Sequence, residues 1–149
     1  NFSVRYSIKF VTIRGRLRKE EVVDLREQEQ VGEFSGRRTG RPIEERLARL
    51  EDIEAIKSLK ARYAYYCDHG YDADGMASLF VEDSRWTSNS FGTYEGRVAI
   101  HKFQSKISSS ILWALHFMIC PVVDVSDDGE TATGTFYLIE FATVTRPVG

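Results

Sequence analysis

Three residues, Tyr63, Asp68 and His116, provide the side chains needed for acid–base catalysis without a cofactor. Histidine has an ordinary pKa of about 6.5, so His116 can take a proton from carbon and later return it to a departing hydroxyl. A neighbouring carboxylate fixes the histidine tautomer and supports the imidazolium. A tyrosine hydroxyl that donates to a developing oxyanion contributes about 3 kcal/mol. These groups suit the removal of water from a carbon next to a carbonyl.

The residues around His116 favour a position on a pocket wall. His116 lies in the apolar stretch 112–120, which is typical of a strand. Its neighbours of the same parity, Ala114, Met118 and Cys120, are smaller or softer than the bulky residues of the opposite parity. A small-residue face with one titratable group is typical of a pocket. The alternative is a core histidine that is hydrogen-bonded to the backbone or to a hydroxyl.

The spacing of Tyr63 and Asp68 raises a geometric question. Five residues along an ideal helix place two side chains about 140° apart. Both therefore face one pocket only if the helix ends between them, and Gly70 makes such an end reasonable. The alternatives are a turn residue for Asp68 and plain core packing for Tyr63.

Four further residues are candidates for substrate contact. Trp86 and Tyr94 are candidate pocket-lining aromatics, with edge packing as the alternative, and Met118 shares the parity of His116. A buried carboxylate is costly without a partner, so Glu140 either faces water or pairs with His116. His69 is expected to be solvated. His101 lies in the third helix, either exposed or on the buried side in place of Ile100.

No metal site or cofactor is expected. The three histidines are scattered, and Cys67 and Cys120 match no metal or redox spacing. We interpret both cysteines as reduced thiols in the core, where free cysteine is most often found.

Composition indicates one globular domain. The 149 residues are 42% hydrophobic and 28% charged. The net charge of −2 combines +4 over residues 1–42 with −6 over residues 43–149. The basic clusters of the first segment are short and lie among acids, which disfavours nucleic-acid binding. No apolar run approaches the roughly 18 residues of a membrane span, and no signal sequence is visible, so a cytoplasmic location is the default.

The first 42 residues form an extension with its own pattern. Apolar residues occupy every second position from Phe2 to Phe10, which predicts a strand over 2–13. Residues 16–31 suit a short, highly charged helix, and 32–42 are glycine-rich and suit a linker.

The remaining residues, 43–149, predict an α+β domain. An apolar stripe predicts a helix over 43–67, with charged residues on its solvated side; the stripe is Leu47, Leu50, Ile53, Ile56, Leu59, Tyr63 and Tyr66, and the charged set includes Lys57 and Lys60. A short helix follows, capped by Asp72 or Asp74, and then strand patterns at 81–86 and 93–96. A third helix spans 97–109. Two long strands, 112–125 and 131–145, are joined at Ser126–Gly129. Three helices on one face of a curved antiparallel sheet would enclose a cone-shaped pocket.

Several runs together resemble the SnoaL-like domain of the nuclear transport factor two-like superfamily. They are Ile53–Tyr63, Asp68, Asp72–Asp83, Gly96–Ile100, His116 and Gly129–Gly134, and the resemblance covers roughly 43–145. Relatives include scytalone dehydratase, bile acid 7-alpha-dehydratases and steroid delta-isomerase. The resemblance implies a cone fold, and it places Tyr63, Asp68 and His116 at the pocket positions of the dehydratase-like branch. It further implies an apolar, cyclic, carbonyl-containing substrate, steroid- or polyketide-like, no cofactor, and a homo-oligomer such as a dimer.

The sequence departs from the family at its end. The family continues beyond the strand at 131–145 with one or two further strands, so the domain is C-terminally short here. The strand at 2–13 is the obvious substitute, and we expect it to pair with the main sheet in its own chain or in a neighbouring subunit. The alternative is a mobile tail.

Three classes of function remain open: a cofactor-free dehydratase or isomerase, a non-catalytic small-molecule binder, and a dimeric scaffold. Hydrogen bonding between His116 and Asp68 around a cavity of about 300 Å3 or more would favour the enzyme. A cavity without a titratable pair would favour the binder, and a filled interior the scaffold.

Overall fold

The computed structural model describes residues 3–13, 16–22, 40–88 and 90–145. Its elements in chain order are β1 (Ser3–Ile13), β2 (Arg16–Val22), α1 (Ile43–Asp68), α2 (Ala73–Ser78), β3 (Arg85–Ser88), β4 (Gly92–Glu95), α3 (Arg97–Ser108), β5 (Ile111–Val125) and β6 (Thr131–Val144). The predicted α+β class is confirmed, with three helices and one six-stranded sheet in these ranges. None of the helices described is long and apolar enough to cross a membrane.

The long hairpin of β5 and β6 brings two of the candidate site residues together. Its antiparallel register places His116 opposite Glu140. The predicted turn at Ser126–Gly129 closes it, with Gly129 at a φ of +73°. The Ser126 hydroxyl and the Glu130 N–H donate to the Asp128 carboxylate, which lowers the pKa of that carboxyl below its usual value.

The N-terminal strand lies inside the sheet. The strand order is β4-β3-β2-β1-β6-β5, with β1 antiparallel to β6 and β2 parallel to β3. The register places Val4 opposite Leu138 and Tyr6 opposite Phe136, and both of these β6 positions are buried. The strand predicted at 2–13 therefore pairs with the main sheet in its own chain and covers the edge of β6.

The predicted charged helix over 16–31 is wrong at its beginning, because Arg16–Val22 is a strand. Pairing with β1 on one side and β3 on the other outweighs the local helical preference of the charged residues. The rest of that prediction, and most of the predicted linker at 32–42, lie outside the described residues.

Helix α1 is as long as predicted, but its burial differs in two places. Leu47 and Leu50 are 55% and 60% exposed, although both belong to the predicted apolar stripe. The Arg49 guanidinium donates to the carbonyl of Ser126 in the hairpin turn, so the preceding residues lie beyond the end of the sheet. Lys60, expected in solvent, is only 1% exposed, and its Nζ lies 4.4 Å from the centre of the Tyr63 ring. This cation–π geometry lets the aliphatic stem pack in the core.

Two apolar clusters hold the helices on the sheet. The larger contains Met76, Phe80, Ile100, Phe103 and Ala114, and the smaller joins Ile56 of α1 to Val125, Ala132 and Phe136.

The prediction that both thiols are buried is wrong for Cys120. Cys67 is buried, whereas Cys120 is exposed. A β-bulge between Ile119 and Val122, with Cys120 at a φ of +52°, breaks the alternation that the prediction assumed.

The opposite face of β5 and β6 has no described element packed on it. Its large exposed side chains are Trp113, Phe117, Ile119, Ile139 and Phe141, and we call this set the outer face. The rings of Phe117 and Phe141 meet edge to face at 6.4 Å between centroids.

Candidate active site

A buried histidine–carboxylate contact between α1 and β5 forms the core of the site. His116 Nδ1 lies 2.7 Å from Asp68 Oδ1, and the same oxygen accepts the backbone N–H of His116 at 2.8 Å. The His116 side chain is 5% exposed and that of Asp68 is 18% exposed. Two bonds to one oxygen fix both the backbone and the ring of His116.

This contact determines the histidine tautomer. An ionised carboxylate only accepts hydrogen bonds, so the neutral imidazole carries its proton on Nδ1. Nε2 is then the basic nitrogen. Asp68 therefore lies where a carboxylate that orients His116 would be expected.

Two side chains lie beside Nε2. The Tyr71 hydroxyl is 3.4 Å from Nε2 and 3.4 Å from Glu140 Oε1, and that Glu140 oxygen is 3.5 Å from Nε2. These contacts are long for hydrogen bonds. Glu140 both pairs with His116 and reaches solvent, since its side chain is 35% exposed.

Tyr63 is positioned by Trp86 of β3. The indole N–H of Trp86 donates to the Tyr63 hydroxyl at 3.1 Å. Accepting this bond draws electron density from the phenol oxygen and makes its O–H a better donor. The Trp86 ring also packs against the Phe103 ring. Tyr94 stacks on Phe103 with 4.2 Å between the ring centroids.

These groups surround a cleft of about 40 Å3. Its described lining is Tyr63, Cys67, Tyr71, Trp86, Ser88, Phe91, Phe103, Gln104, Ile107, His116 and Glu140. Since one water needs roughly 10–15 Å3, the cleft holds about three waters in this conformation. The expected cavity of about 300 Å3 is therefore not found around His116.

Four of the seven predicted site residues, Tyr63, Trp86, His116 and Glu140, line the cleft. Asp68 lies behind His116 and reaches it by hydrogen bonds. The predicted helix end between Tyr63 and Asp68 is wrong, because α1 continues through Asp68 and ends there. Asp68 contacts the histidine from a different side of the helix than Tyr63, so both can serve one site.

The other two predicted residues, Tyr94 and Met118, are not among the described lining residues. Tyr94 packs on the outer side of Phe103, and Met118 lies between the two apolar clusters.

Sequence reasoning missed three polar residues of the cleft, Tyr71, Ser88 and Gln104. Tyr71 has a φ of +54° just after Gly70, in the connection between α1 and α2, where no periodic pattern exists. Its only sequence signal is the neighbouring Asp68. Gln104 belongs to α3, where its position four residues after Ile100 could have marked an inward polar group.

The electrostatics of the site are dominated by carboxylates. Asp68 and Glu140 both lie within 3.5 Å of the His116 ring. Two acids at one end of the cleft disfavour an anionic ligand. Within the described ranges, no group of three or more His, Cys, Asp or Glu residues could hold a metal ion.

A larger depression of about 350 Å3 lies between α2 and α3, lined by Asp74, Ala77, Ser78, Arg97, Val98 and His101. It is a shallow surface groove. Its His101 and Asp74 side chains are 2.9 Å apart, and they are 40% and 95% exposed. The buried His116 cleft is therefore the better candidate for chemistry.

Comparison with known proteins matches residues 48–148 to the SnoaL-like domain family. An NTF2-like protein with a cystatin-like fold from Novosphingobium aromaticivorans is 32% identical in sequence. That match covers 69% of this chain and 67% of that chain, with a TM-score of 0.58. Comparison with the curated proteins gave no match.

Two further solved structures are similar in fold. A provisionally assigned scytalone dehydratase from Novosphingobium aromaticivorans is 21% identical, covers 70% of this chain and 68% of its own, and gives a TM-score of 0.59. The hexachlorocyclohexane dehydrochlorinase LinA (type 2) is 18% identical, covers 67% of each chain, and gives a TM-score of 0.61.

Proposed function

The chain belongs to the SnoaL-like domain family, and on that premise we propose that it is a cofactor-free dehydratase or isomerase. The substrate class is a neutral, cyclic, carbonyl-containing apolar molecule, steroid- or polyketide-like. The observation that carries the proposal is the hydrogen bond from His116 Nδ1 to Asp68, which leaves Nε2 as the base beside a cleft with two tyrosines.

The dehydration uses His116 first as base and then as acid. Nε2 takes the proton from the carbon next to the substrate carbonyl, and the C–H electrons form an enolate. The Tyr63 hydroxyl donates to the enolate oxygen. The carbonyl then re-forms, the C–O bond at the next carbon breaks, and the departing hydroxide takes the proton from Nε2 and leaves as water. The product is an unsaturated ketone. An isomerase would instead return the proton to a different carbon.

Asp68 supports the imidazolium between these two steps. Trp86 and Glu140 line the cleft and contact the substrate, whereas Tyr94 and Met118 support that lining from behind. Two structural neighbours carry the names of elimination enzymes. At 21% and 18% identity their likeness concerns the fold, so the proposed chemistry rests on the His116 site.

The size of the cleft limits how the substrate binds. A volume of about 40 Å3 admits only the reacting part of a ring, whereas drug-sized ligands occupy roughly 300–1,000 Å3. The rest of the substrate lies toward the half-exposed Phe91 at the rim. The same small volume favours the alternative, a non-catalytic binding or dimeric scaffold protein with this fold.

We also propose a homo-oligomer. The outer face presents contiguous aromatic and aliphatic side chains to solvent, with Trp113 and Phe141 each more than half exposed. Apolar patches of this kind mark interaction surfaces. A second copy of the chain offers a surface of the same composition.

Turnover of small cyclic hydroxyketones tests the proposed function. The protein is incubated with 3-hydroxycyclohexanone in D2O, and both deuterium uptake next to the carbonyl and formation of cyclohexenone are measured. We expect both to be accelerated by the unchanged protein and to fall about 100-fold or more in His116→Ala, because a general base is removed. Binding of the substrate should change much less.

The matched control is His101→Ala, which removes a largely solvated histidine that is also paired with an aspartate. It should leave both rates unchanged. Equal loss of binding and turnover in His116→Ala would assign a packing role to His116. Absence of any rate acceleration by the unchanged protein would favour the non-catalytic alternative.

A further inference from the structure

The polar side chains that line the cleft are hydrogen-bonded, with one exception. Tyr63 accepts from Trp86, Tyr71 and Glu140 contact each other and His116, and Ser88 accepts the backbone N–H of Ser90. Gln104 Oε1, by contrast, is fully buried and has no hydrogen-bond partner in the part of the chain that the structure describes. Gln104, one of the residues that line the cleft, therefore has a buried acceptor that lacks a donor.

The unpaired oxygen of Gln104 belongs to a buried side chain of α3. Gln104 lies on the inward side of α3, beside Phe103 and one turn after Ile100, and is 1% exposed. An unpaired buried carbonyl destabilises the fold, whereas methionine or leucine would fill the same space without that cost. The carboxamide is thus unfavourable for the unliganded fold. A ligand that donates to it would remove the penalty.

We propose that the Gln104 carboxamide oxygen accepts a hydrogen bond from a hydroxyl group of the substrate. This inference rests on the proposed function and narrows its substrate class to a hydroxylated cyclic ketone. A halogenated or purely hydrocarbon ring has no O–H or N–H, so it would leave Gln104 unpaired. Sites built to hydrogen-bond a substrate hydroxyl discriminate strongly against analogues that lack it.

The charges of the site favour a hydroxyl over other donors. The pair of acids, Asp68 and Glu140, lies beside His116, where an ammonium group would be drawn to them instead. Gln104 is neutral and the other buried residues of α3, Ile100 and Phe103, are apolar, so it suits an uncharged donor. A hydroxyl that donates to Gln104 keeps its own lone pairs available for other contacts.

Gln104→Met tests the inference, because it keeps the length of the side chain and removes the acceptor. Dissociation constants are measured for cyclohexanone and 3-hydroxycyclohexanone by calorimetry or ligand-observed NMR. The unchanged protein should bind the hydroxylated probe more tightly. The substitution should weaken binding of that probe about 10-fold or more and leave cyclohexanone binding unchanged. The melting temperature of the unliganded variant should stay the same or rise.

Three results would overturn the inference. Equal weakening of both probes would assign Gln104 to packing, and a fall in melting temperature would mean that the carboxamide has a structural partner. If the unchanged protein does not bind the hydroxylated probe more tightly, Gln104 does not accept a hydrogen bond from the hydroxyl.

The binding measurement is independent of catalysis. If the hydroxyl preference persists without turnover, the proposed dehydration fails while the role of Gln104 stands. If turnover depends on His116 but the preference is absent, the opposite holds.

Discussion

At the scale of single residues, the site is defined by one oxygen atom. Asp68 Oδ1 accepts both the backbone and the ring N–H of His116, so the imidazole is fixed at two points. This carboxylate is the last residue of α1, the end of a helix where a negative charge is unfavourable by about 0.3–1 kcal/mol. The two bonds to His116 compensate for that position.

Asp68→Asn tests the orienting role of this carboxylate. An amide can present its NH2 to Nδ1, which favours the tautomer with the proton on Nε2 and removes the base from the cleft. We expect the turnover number to fall about 100-fold or more while KM changes little. Steady-state kinetics with 3-hydroxycyclohexanone would measure both constants. Asp52→Asn is the control, because Asp52 lies on the same helix away from the cleft. An equal loss of turnover in this variant would contradict a specific role for Asp68.

The contact between His116 and Asp68 was easier to predict from the sequence than the residues around it. The family resemblance identifies Tyr63, Asp68 and His116, and the small-residue parity of its strand additionally favours His116. Tyr71 could not be predicted, because its position depends on a positive φ in a connection and not on any periodic pattern. Contacts of this kind arise only when the end of α1 is folded against β5.

At the scale of elements, the entry into α3 depends on Gly96. Its φ of +81° is favourable only for glycine, and an added Cβ would lie 3.3 Å from the carbonyl oxygen of Glu82. The N–H of Gly96 also donates to the Ser84 carbonyl at 2.7 Å. This turn sets the direction of the helix that contains Phe103 and Gln104.

Gly96→Ala should therefore destabilise the fold by about 1–3 kcal/mol, because alanine is strained in this backbone conformation. Urea denaturation followed by circular dichroism would measure the change. Gly40→Ala is the matched control, since a Cβ added there would meet nothing within 4 Å and its φ lies outside the left-handed region. Equal free energies of unfolding for Gly96→Ala and Gly40→Ala would contradict the idea that alanine is strained at position 96.

The pairing of the N-terminal strand β1 with β6 is the second feature at the scale of elements. Nine residue pairs join β1 to β6, and β2 bridges to β3. Removal of residues 1–41 would expose the edge of β6, which is an aggregation liability. We expect the shortened protein to melt at a lower temperature and to lose solubility, as measured by differential scanning fluorimetry and light scattering. An unchanged melting temperature and oligomeric state would make the extension dispensable.

Element boundaries were predictable where the pattern was local. The helices, the β5–β6 hairpin and the strand at 2–13 follow from periodicity and turn residues. The strand at Arg16–Val22 could not be predicted, because its charged sequence is held by pairing with strands distant in the chain. The exposure of Leu47 and the burial of Lys60 likewise depend on where the sheet ends and on the ring of Tyr63.

At the scale of the whole molecule, the outer face predicts self-association. Phe117→Lys places a charge in the middle of this apolar surface, where burial in an interface would be costly. We expect the variant to shift from oligomer to monomer in size-exclusion chromatography with light scattering, with little change in circular dichroism. Ser105→Lys, an exposed position on α3, should leave the assembly intact. A monomeric unchanged protein would contradict the proposed homo-oligomer.

The strand order also governs when the protein can fold during synthesis. Among the strands that the structure describes, β1 is made before all the others and pairs with β6, which is made after them, through contacts such as Ser3 with Ile139. At roughly 5–20 residues per second, a ribosome needs on the order of 10 s to produce the second partner after the first. During that interval β1 must remain unpaired on the β6 side. Such long sequence separation slows folding, so the sheet closes late and in one cooperative step after β6 emerges.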